Sequence, residues 1–227
     1  MFGGIDPTEV AAANAVAVIG LGRFGSALAL ELMDNGTEVL GIDPNEEVVQ
    51  AHNARLTHVV KADATKEEVL RQLTVHEFDR VVVAIGSHLE ASILTTSLLL
   101  RFGIPHIWVK ADSAAHGAIL DQLGVPHVVY AEHEMGRRVA HLVRGRMQDY
   151  IEIDDDFALV KTNPPRSIVG ISLGKTSLRH EHGVTIVAVK PLALPWTYAT
   201  AETILTSDDL ILVAGPAARA EAFSQLR

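Results

Sequence analysis

A glycine-rich turn with the spacing Gly20-x-Gly22-x-x-Gly25 is the feature of this chain that points most directly to chemistry. It follows an apolar run of strand length, Ala15 to Ile19, and precedes a pattern typical of a helix. Gly20 permits a tight turn, Gly22 lets the main chain approach a pyrophosphate, and Gly25 lets the helix pack close to the strand. The N–H groups that begin the helix then favour phosphate oxygens. The turn therefore predicts a nucleotide site.

An acidic residue stands where the ribose of a nucleotide needs one. A second apolar run, Glu38 to Asp43, ends 18 residues beyond Gly25. This is close to the spacing of about 20 residues that is expected of an acid that accepts from ribose hydroxyls. Since a carboxylate repels a 2′-phosphate, Asp43 favours NAD, ATP or ADP over NADP. The alternative is that Asp43 only caps a helix beginning at Pro44, because Asp before Pro is a good helix start.

Two loops after later strands face the same predicted crevice. The loop Asp63-Ala64-Thr65 follows the third strand, where an adenine base rests in sheets of this type, so Asp63 is a candidate acceptor for the adenine amino group. The alternative is a helix cap by Asp63 or Thr65. Residues 84–88 end the fourth strand, and Gly86 lets the chain pass close to a ribose or phosphate. A plain strand-to-helix turn is the alternative there.

Other residues of chemical interest separate into one candidate and two false leads. Arg23, inside the glycine turn, presents a fork of donors suited to phosphate oxygens in its own or a neighbouring subunit; the alternative is a solvated side chain. Three residues separate Gly170 from Gly174, whereas a phosphate loop requires four, so that segment receives no nucleotide. His180 and His182 lie two apart, on different helix faces, and are interpreted as surface histidines.

The composition excludes several classes of protein. The chain of 227 residues carries a net charge of −9 and lacks a basic stripe, which argues against nucleic acid as a partner. It contains no cysteine, so disulfides and thiolate zinc sites are excluded. No apolar run approaches the roughly 18 residues that span a bilayer, and the first 14 residues, with Asp6 and Glu9, do not read as a signal peptide. We therefore expect a cytosolic protein that reaches a membrane only through a partner.

The elements that position these residues alternate between strand and helix. Strands alternating with helices predict an α/β fold with a Rossmann-like, doubly wound parallel sheet. We assign this nucleotide-binding domain to residues 15–148, including a final connecting helix. The predicted strands are 15–19, 38–43, 58–61, 80–85, 106–109 and 125–130, and the predicted helices, besides the one at Pro44, are 26–35, 65–73, 89–102, 114–123 and 134–147.

The pattern changes after residue 148, where an acidic stretch and the breaker Asn163-Pro164-Pro165 interrupt the alternation. We assign residues 149–227 to a small α+β domain. Its predicted strands are 150–153, 157–162, 185–190 and 209–214, and its predicted helices are 173–181 and 217–226.

Taken together, these residues resemble the RCK (regulator of potassium conductance) proteins, in particular the KtrA- and TrkA-type cytosolic subunits of potassium uptake systems. The resemblance covers about residues 15–225. It predicts an RCK-N (TrkA-N) domain followed by an RCK-C (TrkA-C) domain. It rests on Gly20-Leu21-Gly22-Arg23-Phe24-Gly25, Asp43, Asp63-Ala64-Thr65, Glu132-x-x-Met135-Gly136, Ile168-Val169-Gly170, Leu178-Arg179, Gly183, the strand 186–189 and Asp208-Asp209-Leu210.

The resemblance implies a gate without catalytic residues. Such proteins form an octameric ring, built from homodimers, on a membrane-embedded potassium-translocating subunit of KtrB or TrkH type, and ATP, ADP or NAD(H) occupies the cleft. Arg23 matches an arginine that reaches the terminal phosphate of ATP, often across a dimer interface. Glu132 matches a glutamate that holds a divalent or monovalent cation; the alternative is a helix-start acid. The residues assigned to cofactor binding are Gly20, Gly22, Arg23, Phe24, Gly25, Asp43, Asp63, Ala64, Thr65, Ile85, Gly86 and Lys110.

The small domain carries a second expectation. In some relatives it binds cyclic di-AMP, and Arg179 matches a phosphate-binding arginine of that site. Thr185 stands where such relatives often carry Asn, and this departure argues against cyclic di-AMP. An NAD-dependent oxidoreductase or an NAD(H) redox sensor is the alternative function, although the short C-terminal segment offers no general acid or base pairing. A DNA regulator would need a helix-turn-helix and a basic face, which the sequence lacks.

Overall fold

The structure, a computed structural model, describes residues 15–86, 88–154 and 156–226. The signal-peptide prediction for the first 14 residues lies outside this range, as do Ser87 and Asp155. The described chain forms two compact units, the first ending at Glu132 and the second beginning at His133. The sequence-based boundary at residue 148 differs in that it leaves the connecting helix with the first unit.

The first unit is a six-stranded parallel sheet with the strand order β3-β2-β1-β4-β5-β6, which confirms the predicted Rossmann-like topology. Consecutive parallel strands require helical crossovers, and these supply the two covering layers. The strands are β1 Val16–Ile19, β2 Val39–Asp43, β3 His58–Lys61, β4 Arg80–Val83, β5 His106–Lys110 and β6 His127–Val129. The helices are α1 Arg23–Asp34, α2 Glu46–His52, α3 Glu67–Gln72, α4 Leu89–Phe102 and α5 Ala114–Gln122.

Burial on both faces explains why the central strands are continuous apolar runs. Every residue of β1 and β2 is buried. Alternate side chains of β1 point to opposite faces: Ala17 and Ile19 join the core beneath α3, α4 and α5, whereas Val16 and Val18 join the core beneath α1 and α2. The centre of the sheet, where β1 ends in the glycine turn, is therefore covered on both faces.

Helix starts differ most from the predictions. Helix α1 begins at Arg23, directly after the glycine turn, rather than at Ser26. Helix α2 begins at Glu46 rather than Pro44, because the side chain of Asn45 accepts from the N–H of Glu47 at 2.9 Å and caps it.

The second unit contains a five-stranded antiparallel sheet in the order β10-β9-β11-β8-β7, and together with its helices it confirms the predicted small α+β domain. The predicted helix over 173–181 is wrong: it is a 3-10 turn at Leu173–Lys175 and a separate short helix. Thr197–Tyr198 form a strand that was not predicted. The elements are α6 Ala131–Arg144, β7 Asp149–Asp154, β8 Phe157–Thr162, α7 Leu178–Glu181, β9 Thr185–Lys190, β10 Thr197–Tyr198, β11 Leu210–Pro216 and α8 Ala217–Ser224.

The second unit has a hydrophobic core of its own. Its core gathers Tyr150 from β7, Val160 from β8, Ile211 from β11 and Phe223 from α8. Helix α6, predicted to begin at Glu134, begins at Ala131. In the described parts of the chain, no helix has both the length and the apolar character needed to cross a bilayer.

Candidate functional site

A cleft of about 330 Å³ opens at the carboxyl ends of β1 to β4. Ligands of open parallel sheets bind at this edge, where the strand order reverses beside β1. The predicted site residues that line the cleft are Gly20, Gly22, Asp43, Asp63, Ala64, Thr65, Ile85 and Gly86. The structure therefore brings four separate loops of the sequence prediction into one cavity.

Main-chain geometry explains the glycines of the turn. Gly20 has φ +92°, and a Cβ there would lie 3.0 Å from the carbonyl carbon of Ala84. A Cβ on Gly25 would lie 1.9 Å from the carbonyl oxygen of Gly20, a distance that no side chain tolerates. A Cβ on Gly22 would have no atom of the described chain within 4 Å, although Gly22 lines the cleft. Gly20 and Gly25 thus serve the fold, while Gly22 leaves room for a ligand.

Asp43 fastens the glycine turn to the end of β2. It is 8% exposed, and its two carboxylate oxygens accept at 2.8 Å from the N–H groups of Leu21 and Asn45. Helix α2 is capped by Asn45, so the alternative in which Asp43 caps that helix is wrong. Each carboxylate oxygen has a further lone pair, and the group lines the cleft. The carboxylate of Asp43 therefore keeps acceptor capacity beyond these two bonds.

Asp63 forms a turn with Thr65. Its Oδ1 accepts from the Thr65 hydroxyl at 2.6 Å and from the Thr65 N–H at 3.0 Å. These two bonds hold the pKa of the Asp63 carboxyl below its usual range. Helix α3 begins at Glu67 with Lys66 at its N-cap, so the helix-cap alternative for Asp63 and Thr65 is also wrong. The turn fixes an ionised carboxylate on the wall of the cleft.

The ammonium of Lys110 lies next to Gly86, which lines the cleft. Its Nζ is 3.0 Å from the place where a Gly86 Cβ would stand. The side chain is 9% exposed and pairs with Asp112 at 3.1 Å and Glu132 at 2.6 Å. Burial acts to lower the pKa of Lys110, but the hydrogen bonds to Glu132 and Asp112 reverse this and leave the pKa raised. Lys110 is therefore a buried, charged ammonium.

Glu132, at the second position of α6, faces Lys110 from solvent. Its side chain is 65% exposed, and the hydrogen bond from Lys110, aided by the charge of Arg23, lowers its pKa. The helix-start alternative agrees with its position in the first turn. Within residues 15–86, 88–154 and 156–226, no three His or carboxylate side chains form a group that could hold a metal ion.

Some predicted residues do not line the cleft. Arg23, Phe24, Gly25 and Lys110 stand beside it, and the Arg23 side chain is exposed. Sequence reasoning also missed Asp112, two residues beyond β5; its place at the carboxyl edge of a strand is the signal that would have found it.

A second cavity, of about 560 Å³, lies within the second unit. Arg179 and Thr185 line it, and Arg179 Nε donates to the Thr185 hydroxyl at 3.0 Å. The segment 170–176, which superficially resembles a phosphate loop, contributes Leu173, Gly174 and Thr176 to its wall. Those residues form a 3-10 turn rather than the start of a long helix, in agreement with the absence of a phosphate loop.

Comparison with known proteins gives a consistent result. The TrkA-N domain model matches residues 16–131. The chain is 36% identical to the Ktr system potassium uptake protein C of Bacillus subtilis (strain 168) over 88% of this chain and 90% of that protein. It is 37% identical to the Ktr system potassium uptake protein A of the same strain, again over 88% and 90%. It is 32% identical to the Ktr system potassium uptake protein A of Vibrio alginolyticus, over 88% and 91%.

Solved structures share the fold. The GsuK RCK domain superposes with a TM-score of 0.65 at 18% identity, over 95% of this chain and 48% of that one. The GsuK channel bound to NAD superposes with a TM-score of 0.65 at 17% identity, over 95% and 40%.

Proposed function

Because this chain belongs to the TrkA-N family, and within it to the Ktr potassium uptake proteins, we propose that it is a nucleotide-sensing regulatory subunit that gates a potassium transporter. On this proposal it acts in the cytoplasm, peripheral to the membrane, through a KtrB- or TrkH-like translocating partner. The proposed gating role requires no catalytic residues. An NAD-dependent oxidoreductase or redox sensor remains the competing function.

The cleft is the observation that carries the proposal. Asp43 is bonded to the N–H of Leu21 and therefore ties a ribose-binding carboxylate directly to the phosphate-binding turn. Asp63 sits on the wall where adenine is expected, and Gly86 also lines the cleft. This arrangement suits ATP or ADP, and equally the ADP half of NAD or NADH. A 2′-phosphate would meet the Asp43 carboxylate, so NADP is disfavoured.

Gating follows from a difference in affinity between two states. A ligand shifts a conformational equilibrium only by the difference between its affinities for the two conformations. ATP carries one phosphate more than ADP. The side chain of Arg23 is exposed, and Arg23 does not line the cleft of its own subunit. We assign Arg23 to the terminal phosphate of a nucleotide in a neighbouring subunit. A coupling of about 1–3 kcal/mol, usual between allosteric sites, then changes conduction several-fold.

Assembly into homodimers, and from these into an octameric ring, is the second part of the proposal. Helix α6 exposes an apolar stripe of Met135, Val139 and Val143, which recur at helical spacing, and Val143 is 80% exposed. A second copy of the chain would cover such a stripe. We propose that residues 131–148 connect the nucleotide-binding domain to a regulatory domain formed by residues 149–227.

Two further ligands belong to the proposal. A divalent or monovalent cation at Glu132 would require ligands from outside the chain, such as nucleotide phosphates, because Glu132 has no neighbouring carboxylate or imidazole set in the described residues. Arg179 is the proposed contact for a ligand of the C-terminal cavity. The presence of Thr185 argues against cyclic di-AMP as that ligand.

Calorimetric titration tests the proposal. The purified chain is titrated with ATP, ADP, NADH and cyclic di-AMP, with and without Mg²⁺ or Ca²⁺, and the same series is run on Arg23→Ala. We expect an adenine nucleotide to bind the wild-type chain and Arg23→Ala to lose about tenfold in its preference for ATP over ADP. Unchanged preference would remove the role of Arg23. No binding of any adenine compound at millimolar concentration, or turnover of NADH with a substrate, would overturn the proposal.

A further inference from the structure

Two cationic and two anionic side chains interact near the cleft. Lys110 bridges Asp112 and Glu132, and the charge of Arg23 acts on Glu132. Two cations and two anions leave the group neutral before any ligand enters. A nucleotide brings several negative charges to the same edge of the sheet, so this balance cannot persist when the cleft is filled.

Of the two carboxylates that pair with Lys110, Glu132 is the more exposed and therefore the easier one to release. The Glu132 side chain is 65% exposed, whereas Asp112 is 32% exposed and lies on the same loop as the strand end. An ammonium has three donors and can exchange one partner while it keeps another. Lys110 can therefore leave Glu132 for a new acceptor without becoming an unpaired buried charge.

The ammonium of Lys110 lies close to the cleft. Its Nζ is 3.0 Å from the place where a Gly86 Cβ would stand, and Gly86 lines the cleft. Because Gly86 has no side chain, the main chain of the cleft wall comes close to the ammonium. The oxygens of a phosphate bound at this wall are the new acceptors that we consider for Lys110.

We propose that Glu132 and the phosphates of a bound nucleotide compete for the ammonium of Lys110, so that nucleotide binding releases Glu132. This inference rests on the proposed nucleotide site and adds its internal regulation. Lys110 is the link between the cleft and the start of α6.

A double-mutant cycle without divalent cations tests the competition. ATP affinity is measured in EDTA, by calorimetry, for the wild-type chain, Glu132→Gln, Lys110→Met and the double variant. We expect Glu132→Gln to raise ATP affinity about fivefold, because Lys110 is then freed in advance. Lys110→Met lowers affinity about tenfold, and adding Glu132→Gln to it changes affinity less than twofold.

Two matched control variants distinguish an exchange of partners by Lys110 from a general effect of net charge. Glu134→Gln removes the same charge from the same helix, and Lys61→Met removes a lysine that likewise ends a strand and pairs with a glutamate, Glu46, at 3.4 Å. Both controls should leave ATP affinity within about twofold of wild type. Thermal melting checks each variant, and Lys110→Gln replaces Lys110→Met if the latter does not fold.

The outcomes distinguish this inference from the proposed function. If no variant and no wild-type sample binds ATP, ADP or NADH, the nucleotide site itself fails. If the wild-type chain binds but Glu132→Gln gives no gain, the competition is absent. A gain that persists in the Lys110→Met background, or that Glu134→Gln reproduces, attributes the effect to net charge and overturns the role of Lys110.

Discussion

The two cavities of this protein differ in how firmly the fold fixes their walls. The cleft of the first unit is formed largely by main chain: a positive-φ glycine, a glycine pressed against a carbonyl, and a carboxylate that bonds two N–H groups. The wall of the second cavity includes the exposed side chain of Arg179, and the hydrogen bond that is described for it joins it to the Thr185 hydroxyl. The first shape is therefore set by the fold itself, whereas we expect that exposed residues of the second cavity can be substituted without disturbing its sheet.

Gly25→Ala is expected to break the first cavity and to have the largest effect. Its Cβ would lie 1.9 Å from the Gly20 carbonyl oxygen, so helix α1 must move away from β1. We expect a loss of about 3 kcal/mol in the free energy of unfolding, together with loss of nucleotide binding. Urea denaturation and calorimetry measure the two effects.

Gly22→Ala is the matched control for this change. A Cβ at Gly22 has open space and an extended φ of −66°, so stability should change by less than about 0.5 kcal/mol. Nucleotide affinity should still fall, because Gly22 lines the cleft. Equal stabilities for Gly25→Ala and Gly22→Ala would contradict the difference we assign to the two positions.

The same distinction explains how much could be predicted from sequence. Helix α4 and strands β3, β8 and β9 have the predicted bounds, since local signals such as Gly103, with φ +74°, set their ends. The segment 173–181 was mispredicted because the Thr176 hydroxyl bonds the carbonyl of Leu173 at 2.6 Å and interrupts the apparent helical pattern.

Hydrogen bonds and ion pairs between residues that are distant in sequence were not predicted. The glycine turn and Asp43 were both identified, yet the hydrogen bond between Leu21 N–H and Asp43 was not, because it depends on the register of β1 against β2. Lys110 and Glu132 were likewise named separately. Their ion pair depends on where β5 ends and α6 begins, and α6 begins earlier than the periodicity indicated.

The pH dependence of the free energy of unfolding is expected to show a smaller effect, which arises from a buried histidine of the first unit. His116, 1% exposed in the first unit, has its pKa lowered by burial, only partly offset by the charge of Asp112. The unfolded chain therefore binds the proton more tightly, and the contribution of His116 to stability is complete above pH 6.5 and is lost as the pH falls below it. Each unit of lowering corresponds to about 1.4 kcal/mol. Urea midpoints between pH 7.5 and 5 measure this loss.

His116→Gln should flatten this part of the profile, because a neutral amide has no proton to gain. Its carbonyl can still accept from the Asp112 N–H, which the imidazole Nδ1 accepts at 3.3 Å. His180→Gln, on the exposed wall of the second cavity, serves as the control and should keep the wild-type slope. A slope unchanged by His116→Gln would assign the pH dependence to other groups.

Arg179→Ala is expected to have the smallest effect, and it tests whether the second cavity is independent of its sheet. Arg179 is exposed, and its bond to Thr185 joins two surface side chains. Removing it should change the free energy of unfolding by less than about 0.5 kcal/mol and leave ATP affinity within twofold of wild type. Urea denaturation and ATP calorimetry check both values. A loss above about 1 kcal/mol would mean that this wall, like the glycine turn, is part of what holds the fold together, because a freely exchangeable side chain cannot carry that much stability.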